Sequence, residues 1–75
     1  MTLQEKLGKT VRSLRLLNGL SQEQMSFYAK IDTHYLSNIE TGKRNISLNI
    51  IEKLADYFGM KVSEFMDLVE QYKEE

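Results

Sequence analysis

The sequence predicts an all-α fold of five helices in one domain, and three observations carry that expectation. Apolar residues recur at three- and four-residue steps, no stretch alternates as a strand would, and the chain contains no proline. A chain of 75 residues has room for a single core, because folding at this length removes only a little over about 60% of the unfolded surface from water.

The first helix is expected from about residue 2 to 17, where Leu3, Leu7, Val11, Leu14 and Leu17 follow steps of 4, 4, 3 and 3 and draw one stripe. Asn18-Gly19 ends it. Ser21 can then accept from exposed backbone N–H groups, and Gln24 completes a capping box for a second helix over about 21–28. Asp32 or Thr33 can cap a third helix, with Leu36 and Ile39 inward and Gly42 closing it in the left-handed conformation. After a loop from Gly42 to Ile46, Ser47 caps a fourth helix whose expected buried side is Leu48, Ile51, Leu54, Ala55 and Phe58. Gly59 ends that helix, a fifth runs over about 62–73, and the charged QYKEE end is expected to fray. No internal repeat divides the chain, so residues 1–75 are expected to form a single domain.

Composition removes several functions. Without cysteine there is no disulfide framework, thiolate nucleophile or Cys-based zinc site, which suits a reducing cytoplasm. No apolar run approaches the roughly 20 residues that span a bilayer, and charge interrupts MTLQEKLGKTV, unlike a signal peptide. The expectation is a soluble, cytoplasmic protein.

The net charge of -1 conceals a polarity. Residues 1–44 carry seven bases (Lys6, Lys9, Arg12, Arg15, Lys30, Lys43, Arg44) against four acids (Glu5, Glu23, Asp32, Glu40), a sum of +3. Residues 45–75 carry three bases against seven acids, a sum of -4. The first part could meet an anion while the second avoids it.

Two short helices joined by a very tight turn, the second presenting polar residues outward, are the sequence image of a helix-turn-helix. Met25, Ala29, Ile31, Leu36 and Ile39 supply its apolar positions, and small Ser26 falls where the two helices approach most closely. With Leu36 as the buried direction and 100° per residue, His34, Asn38 and Thr41 point most nearly away from the core, with Ser37 beside them and Thr33 at the leading end. Such a helix would lie in the major groove of DNA, where base edges display distinguishable donors and acceptors. Thr33, His34, Ser37 and Asn38 are therefore the expected base readers. Tyr35 lies on the flank, within reach of phosphate through its hydroxyl, and Thr41 trails at the far end. Lys43, Arg44 and Asn45 follow at once and suit phosphates or the minor groove. None of the base-reading candidates is an arginine, so bidentate recognition of guanine would fall to Arg44, whereas Asn38 suits adenine.

LSQEQ, YLSNIETGKRNISL and IEKLADYFGM resemble the Cro and phage-repressor type of helix-turn-helix domain, also called the xenobiotic-response-element family, with its lambda-repressor-like fold. The resemblance covers nearly the whole chain. HYLSNIETGKRNIS further resembles the controller proteins of restriction-modification systems, small homodimers that regulate their own operon and the endonuclease gene. The resemblance implies that Gln22, at the start of the second helix, contacts the DNA backbone and braces the reading helix. The positive end of a helix favours a phosphate at that place. It also implies that Glu40, which the angular count puts near the buried side, pairs with Arg15 as a structural ion pair. Two departures stand out: Lys30 occupies the inter-helix turn where the family usually has glycine, and Ile46 replaces a frequent proline.

The last helix places Val62, Phe65, Met66, Val69 and Tyr72 at i, i+3, i+4, i+7 and i+10, a stripe longer than one short helix needs for packing. Phe65, Met66, Val69 and Tyr72, with Tyr57 and Met60 nearby, form the expected homodimer face. Two-fold symmetry then implies a palindromic operator with half-sites about 34 Å apart or a multiple of it. The expectation is a sequence-specific transcriptional regulator that blocks or recruits RNA polymerase, with no catalytic step, no cofactor and no metal. His34 is the only histidine and no carboxylate pair stands at ligand spacing. The alternative from another class is an antitoxin or adaptor that uses the same fold to bind a protein through its acidic C-terminal part.

Overall fold

A computed structural model describes residues 1–74 of the chain. Among them are five helices and no strand: α1 (Leu3–Leu17), α2 (Gln22–Ala29), α3 (Thr33–Glu40), α4 (Leu48–Tyr57) and α5 (Val62–Gln71). The starts follow from local chemistry. Ser21 Oγ accepts from the Gln24 backbone N–H at 3.0 Å while Gln24 Oε1 accepts from that of Ser21 at 2.9 Å. Asp32 caps α3 through Tyr35 N, and Ser47 caps α4 through Ile50 N. Thr2 and Glu5 form a second reciprocal box at the head of α1, where each partner satisfies a donor that the first turn leaves open. Hydrogen bonding to Thr2 also holds the Glu5 carboxyl below its ordinary pKa.

α1 packs across both α3 and α5, α2 lies against α3 and touches α4, and α4 meets α5. Met25, Leu36, Ile39, Leu54, Phe65, Val11 and Val69 lose all or nearly all of their solvent exposure and fill the space between. α1 comes close to the backbone at the end of α3. A Cβ on Gly8 would fall on the carbonyl oxygen of Ile39 and within 2.9 Å of that of Glu40. Glycine in mid-helix ordinarily costs about 1 kcal/mol against alanine. Here it is the only residue that lets α1 rest on the backbone of α3.

The turn between α2 and α3 holds Lys30 in the left-handed region, at φ 57° and ψ 45°. Its N–H and that of Ile31 both return to the Ser26 carbonyl, a helix-ending arrangement that glycine usually serves. The strain of a side chain there, about 1 kcal/mol, is offset by buried Ile31 and by Lys53 Nζ, which donates to the Lys30 carbonyl at 3.0 Å. Ser26 is buried, and its hydroxyl finds no partner among the described residues.

Several apolar positions differ from expectation. Leu3 and Leu17, the ends of the α1 stripe, are 51% and 81% exposed, because they lie beyond the part of α1 that α3 and α5 cover. Leu48 is 80% exposed; it opens α4 and sits about 70° round the helix from the mean direction of Ile51, Leu54, Ala55 and Phe58. α5 stops at Gln71, short of residue 73, and Tyr72 turns into extended backbone. Phe65 and Val69, expected on the dimer face, are both 0% exposed and belong to the core of the single chain. Tyr57, Met60, Met66 and Tyr72 remain half-buried. The last residue of the QYKEE end lies outside the described residues. No helix among the described residues is long and apolar enough to cross a membrane.

Gly8→Ala is expected to destabilise the fold by about 2 kcal/mol or more, the reverse of the usual gain from alanine in a helix, because the clash is with backbone that cannot turn aside. Urea unfolding of both proteins checks this. Equal or greater stability for the alanine variant would show that α1 and α3 can separate freely.

Candidate nucleic-acid interface

The interface begins with what fixes the back of α3. Glu40, its last residue, is buried, and its side chain is only 3% exposed. Arg15, in the last turn of α1, donates from Nε to Glu40 Oε2 at 2.7 Å and from Nη2 to Oε1 at 3.0 Å. Its Nη1 donates to the Leu20 carbonyl at 2.8 Å. Gln22, the first residue of α2, adds a bond from Nε2 to Glu40 Oε1 at 3.1 Å. The Glu40 carboxylate thus joins α1, α2 and α3, and Arg15 ties the α1–α2 turn into the same cluster. The fork geometry of guanidinium against carboxylate makes this pairing directional as well as strong. Hydrogen bonding to Glu40 raises the Arg15 pKa above its ordinary value despite the opposing effect of burial.

With the rear of α3 held, its outer side is free of structural duty. Thr33 and His34 are exposed, and Ser37 and Asn38 are half-buried one turn further on. These four occupy i, i+1, i+4 and i+5, so they form one polar row. Thr41 is exposed, but its hydroxyl turns back to the carbonyls of Ser37 and Asn38. Gly42 adopts φ 72°, and the Lys43 N–H returns to the Asn38 carbonyl, which swings the chain out of the helix. Gln4 Nε2 ties down that turn through the Gly42 carbonyl at 2.6 Å. Lys43, Arg44 and Asn45 follow, all exposed. The guanidinium carbon of Arg44 lies 5.2 Å from the centroid of the Tyr35 ring. The Arg44 side chain therefore reaches the flank of α3 at Tyr35.

Gln22 is half-buried with its amide N–H engaged by Glu40. Its place in the fold is thus that of a brace between α2 and α3. The resemblance implies a brace at Gln22 without naming Glu40 as its partner, and Gly8 carries only the signal of an isolated glycine inside a helical pattern, which often marks close packing. His34 gathers no ligand set: no group of three or more His, Cys, Asp or Glu stands close enough to hold a metal among the described residues.

Glu40→Ala is expected to cost about 3–5 kcal/mol, since it leaves the Arg15 charge buried without its partner. Gln22→Ala removes one hydrogen bond to the same carboxylate and should cost only about 1 kcal/mol. Denaturant midpoints measured for both variants check the ordering. Equal losses would mean that the carboxylate, rather than the ion pair, matters only as an acceptor for Gln22.

Comparison with known proteins agrees with this geometry. The helix-turn-helix family model matches residues 11–65. Control protein C.BamHI of Bacillus amyloliquefaciens is 38% identical over 61 residues, covering 80% of this chain and 75% of that protein. Control protein C.MunI of a Mycoplasma species is 36% identical over 67 residues, covering 88% and 90% respectively. The crystal structure of the restriction-modification controller protein C.AhdI from Aeromonas hydrophila superposes with a TM-score of 0.74 at 39% identity, over 83% of this chain and 94% of that one. The chain belongs to the helix-turn-helix family of Cro/C1-type transcription regulators, among relatives that are restriction-modification control proteins.

Proposed function

We propose that this chain acts as a homodimeric regulator that reads a palindromic operator, as the control-protein relatives suggest, and that it governs a restriction-modification operon by blocking or recruiting RNA polymerase. The observation that carries the proposal is the division of labour on α3. Its rear is bolted by Glu40 and pressed against Gly8, while Thr33, His34, Ser37 and Asn38 stand on the outer side. A polar row on a rigid helix suits hydrogen bonding to base edges in the major groove. Asn38 is the residue suited to paired bonds with adenine; Lys43, a compact cation beyond the helix, suits phosphate. Gln22 contributes through position, holding the start of α2, whose positive end favours a phosphate. The chemistry is binding, and the cytoplasm is where a chromosomal operator of this kind would be met.

The second copy is placed on the half-buried apolar residues that remain after Phe65 and Val69 are assigned to the core: Tyr57, Met60, Met66 and Tyr72. Met66 also lines an apolar groove of about 300 Å³ with Leu3, Leu7, Ile46 and Ile51. A two-fold pair repeats the reading helix, which a single short α3 needs in order to specify enough base pairs.

Two experiments test this reading. On DNA from upstream of the protein's own coding region, Asn38→Ala should lower affinity by about 1–3 kcal/mol and relax the choice of base at one position, whereas Lys43→Ala should weaken all duplexes alike and reduce the salt slope by about one. Fluorescence-anisotropy titrations over a range of salt separate the two, and unchanged affinity in both would remove α3 and its following loop from the interface. For the dimer, Met66→Glu should leave a folded monomer with poor operator affinity; sedimentation that still shows a dimer would place the contact elsewhere.

A further inference from the structure

The two best-placed arginines of this chain are held in opposite ways. Arg15 gives donors on Nε, Nη1 and Nη2 to Glu40 and to the Leu20 carbonyl, so each of its three nitrogens is bound within the fold. Arg44 forms no salt bridge among the described residues. What holds it is the ring of Tyr35, over which its guanidinium sits at 5.2 Å from the centroid. A ring face attracts the cation through its quadrupole and uses none of its N–H groups. All five donors of a guanidinium lie in its plane, so Arg44 keeps its hydrogen-bonding edge open while its position is restricted.

The platform itself is fixed. Tyr35 is half-buried and packs against the hydrophobic core, and its backbone N–H is bound by the Asp32 cap. It belongs to the first turn of α3, whereas Arg44 comes from the loop beyond the last turn. The contact thus brings a loop cation to the flank of the row that contains Thr33 and His34.

Resting on the DNA-binding reading above, we infer that Tyr35 is a positioning residue: its ring, not its hydroxyl, holds Arg44 ready to donate to an acceptor on the DNA beside the leading turn of α3. The acceptor is a phosphate oxygen or the edge of a guanine. Restriction before binding lowers the ordering cost that a long, flexible side chain would otherwise add on association. The same ring explains why arginine suits position 44 better than lysine, since a planar guanidinium both stacks on an aromatic face and presents a donor fork.

The test needs Tyr35→Phe, Tyr35→Leu, Arg44→Ala and the Tyr35→Leu/Arg44→Ala double variant of the full chain. In the free protein, NMR should find the Arg44 δ-methylene protons displaced by the ring current, unchanged in Tyr35→Phe and returned to ordinary values in Tyr35→Leu. With the operator duplex, Tyr35→Phe should bind within about twofold of the parent, and Tyr35→Leu about two- to fivefold more weakly. That loss should vanish when Arg44 is already alanine. A reduced salt slope in Arg44→Ala identifies a phosphate acceptor, and relaxed selectivity at one base identifies a guanine. A loss in Tyr35→Phe as large as in Tyr35→Leu would overturn the inference in favour of a hydroxyl–phosphate contact. Additive losses in the double variant would overturn it by separating Tyr35 from Arg44. If the parent bound no DNA yet showed the displaced protons, the DNA-binding reading would fail while Arg44 remained seated on Tyr35.

Discussion

The carboxylate of Glu40 is the interaction on which the arrangement of the N-terminal helices depends. It is buried at the end of α3 and takes two bonds from Arg15 on α1 and one from Gln22 on α2. Taking a carboxylate and a guanidinium out of water is costly, and the cost is met only when the geometry is good and the remaining lone pairs are used. Here the guanidinium fork is bidentate and three donors in all reach the carboxylate. An apolar substitute of equal volume could stabilise the core as well, but it would not fix the rotation of α3 about its own axis. That rotation decides whether Thr33, His34, Ser37 and Asn38 face outward together.

Two backbone features complete the constraint. Gly8 removes the side chain that would hold α1 away from the Ile39 and Glu40 carbonyls. Lys30 accepts a left-handed conformation so that α2 can stop and α3 can begin after three residues. Each is unfavourable locally: glycine raises the entropy of the unfolded chain and lysine is strained at positive φ. Both are tolerated because the tertiary arrangement recovers more through the fully buried Leu36, Ile39 and Met25. Beyond Glu40 the constraint relaxes by design of the chain: Gly42 turns it out of the helix, and Lys43, Arg44 and Asn45 are left in solvent.

The sequence was most legible where the physics is local. Caps at Ser21, at Asp32 or Thr33, and at Ser47, with the inward positions Leu36 and Ile39, follow from short-range hydrogen bonding and helical periodicity, and in the structure Asp32 is the one that caps α3. The pairing of Glu40 needed more, since the angular count placed it near the core but only the family resemblance named Arg15. Gly8 has no local signal of its role, because its reason is the backbone of a helix some thirty residues away. Phe65 and Val69 were misplaced at a dimer face because a stripe at helical spacing reads the same whether it meets its own core or another copy. The outward Leu17 shows the converse, an apolar residue in phase with a stripe but past the end of what covers it, while Leu48 opens its helix about 70° away from the buried direction. The approach of Arg44 to Tyr35 depends on the path of a loop, which periodicity does not encode.

The row on α3 is proposed to read DNA in a two-fold arrangement. Selection of bound duplexes from a random pool at physiological salt, followed by sequencing, tests binding, specificity and symmetry together. The account predicts an enriched palindrome, each half corresponding to one copy of α3 with its following loop. Failure to enrich any sequence, with the protein folded, would contradict it.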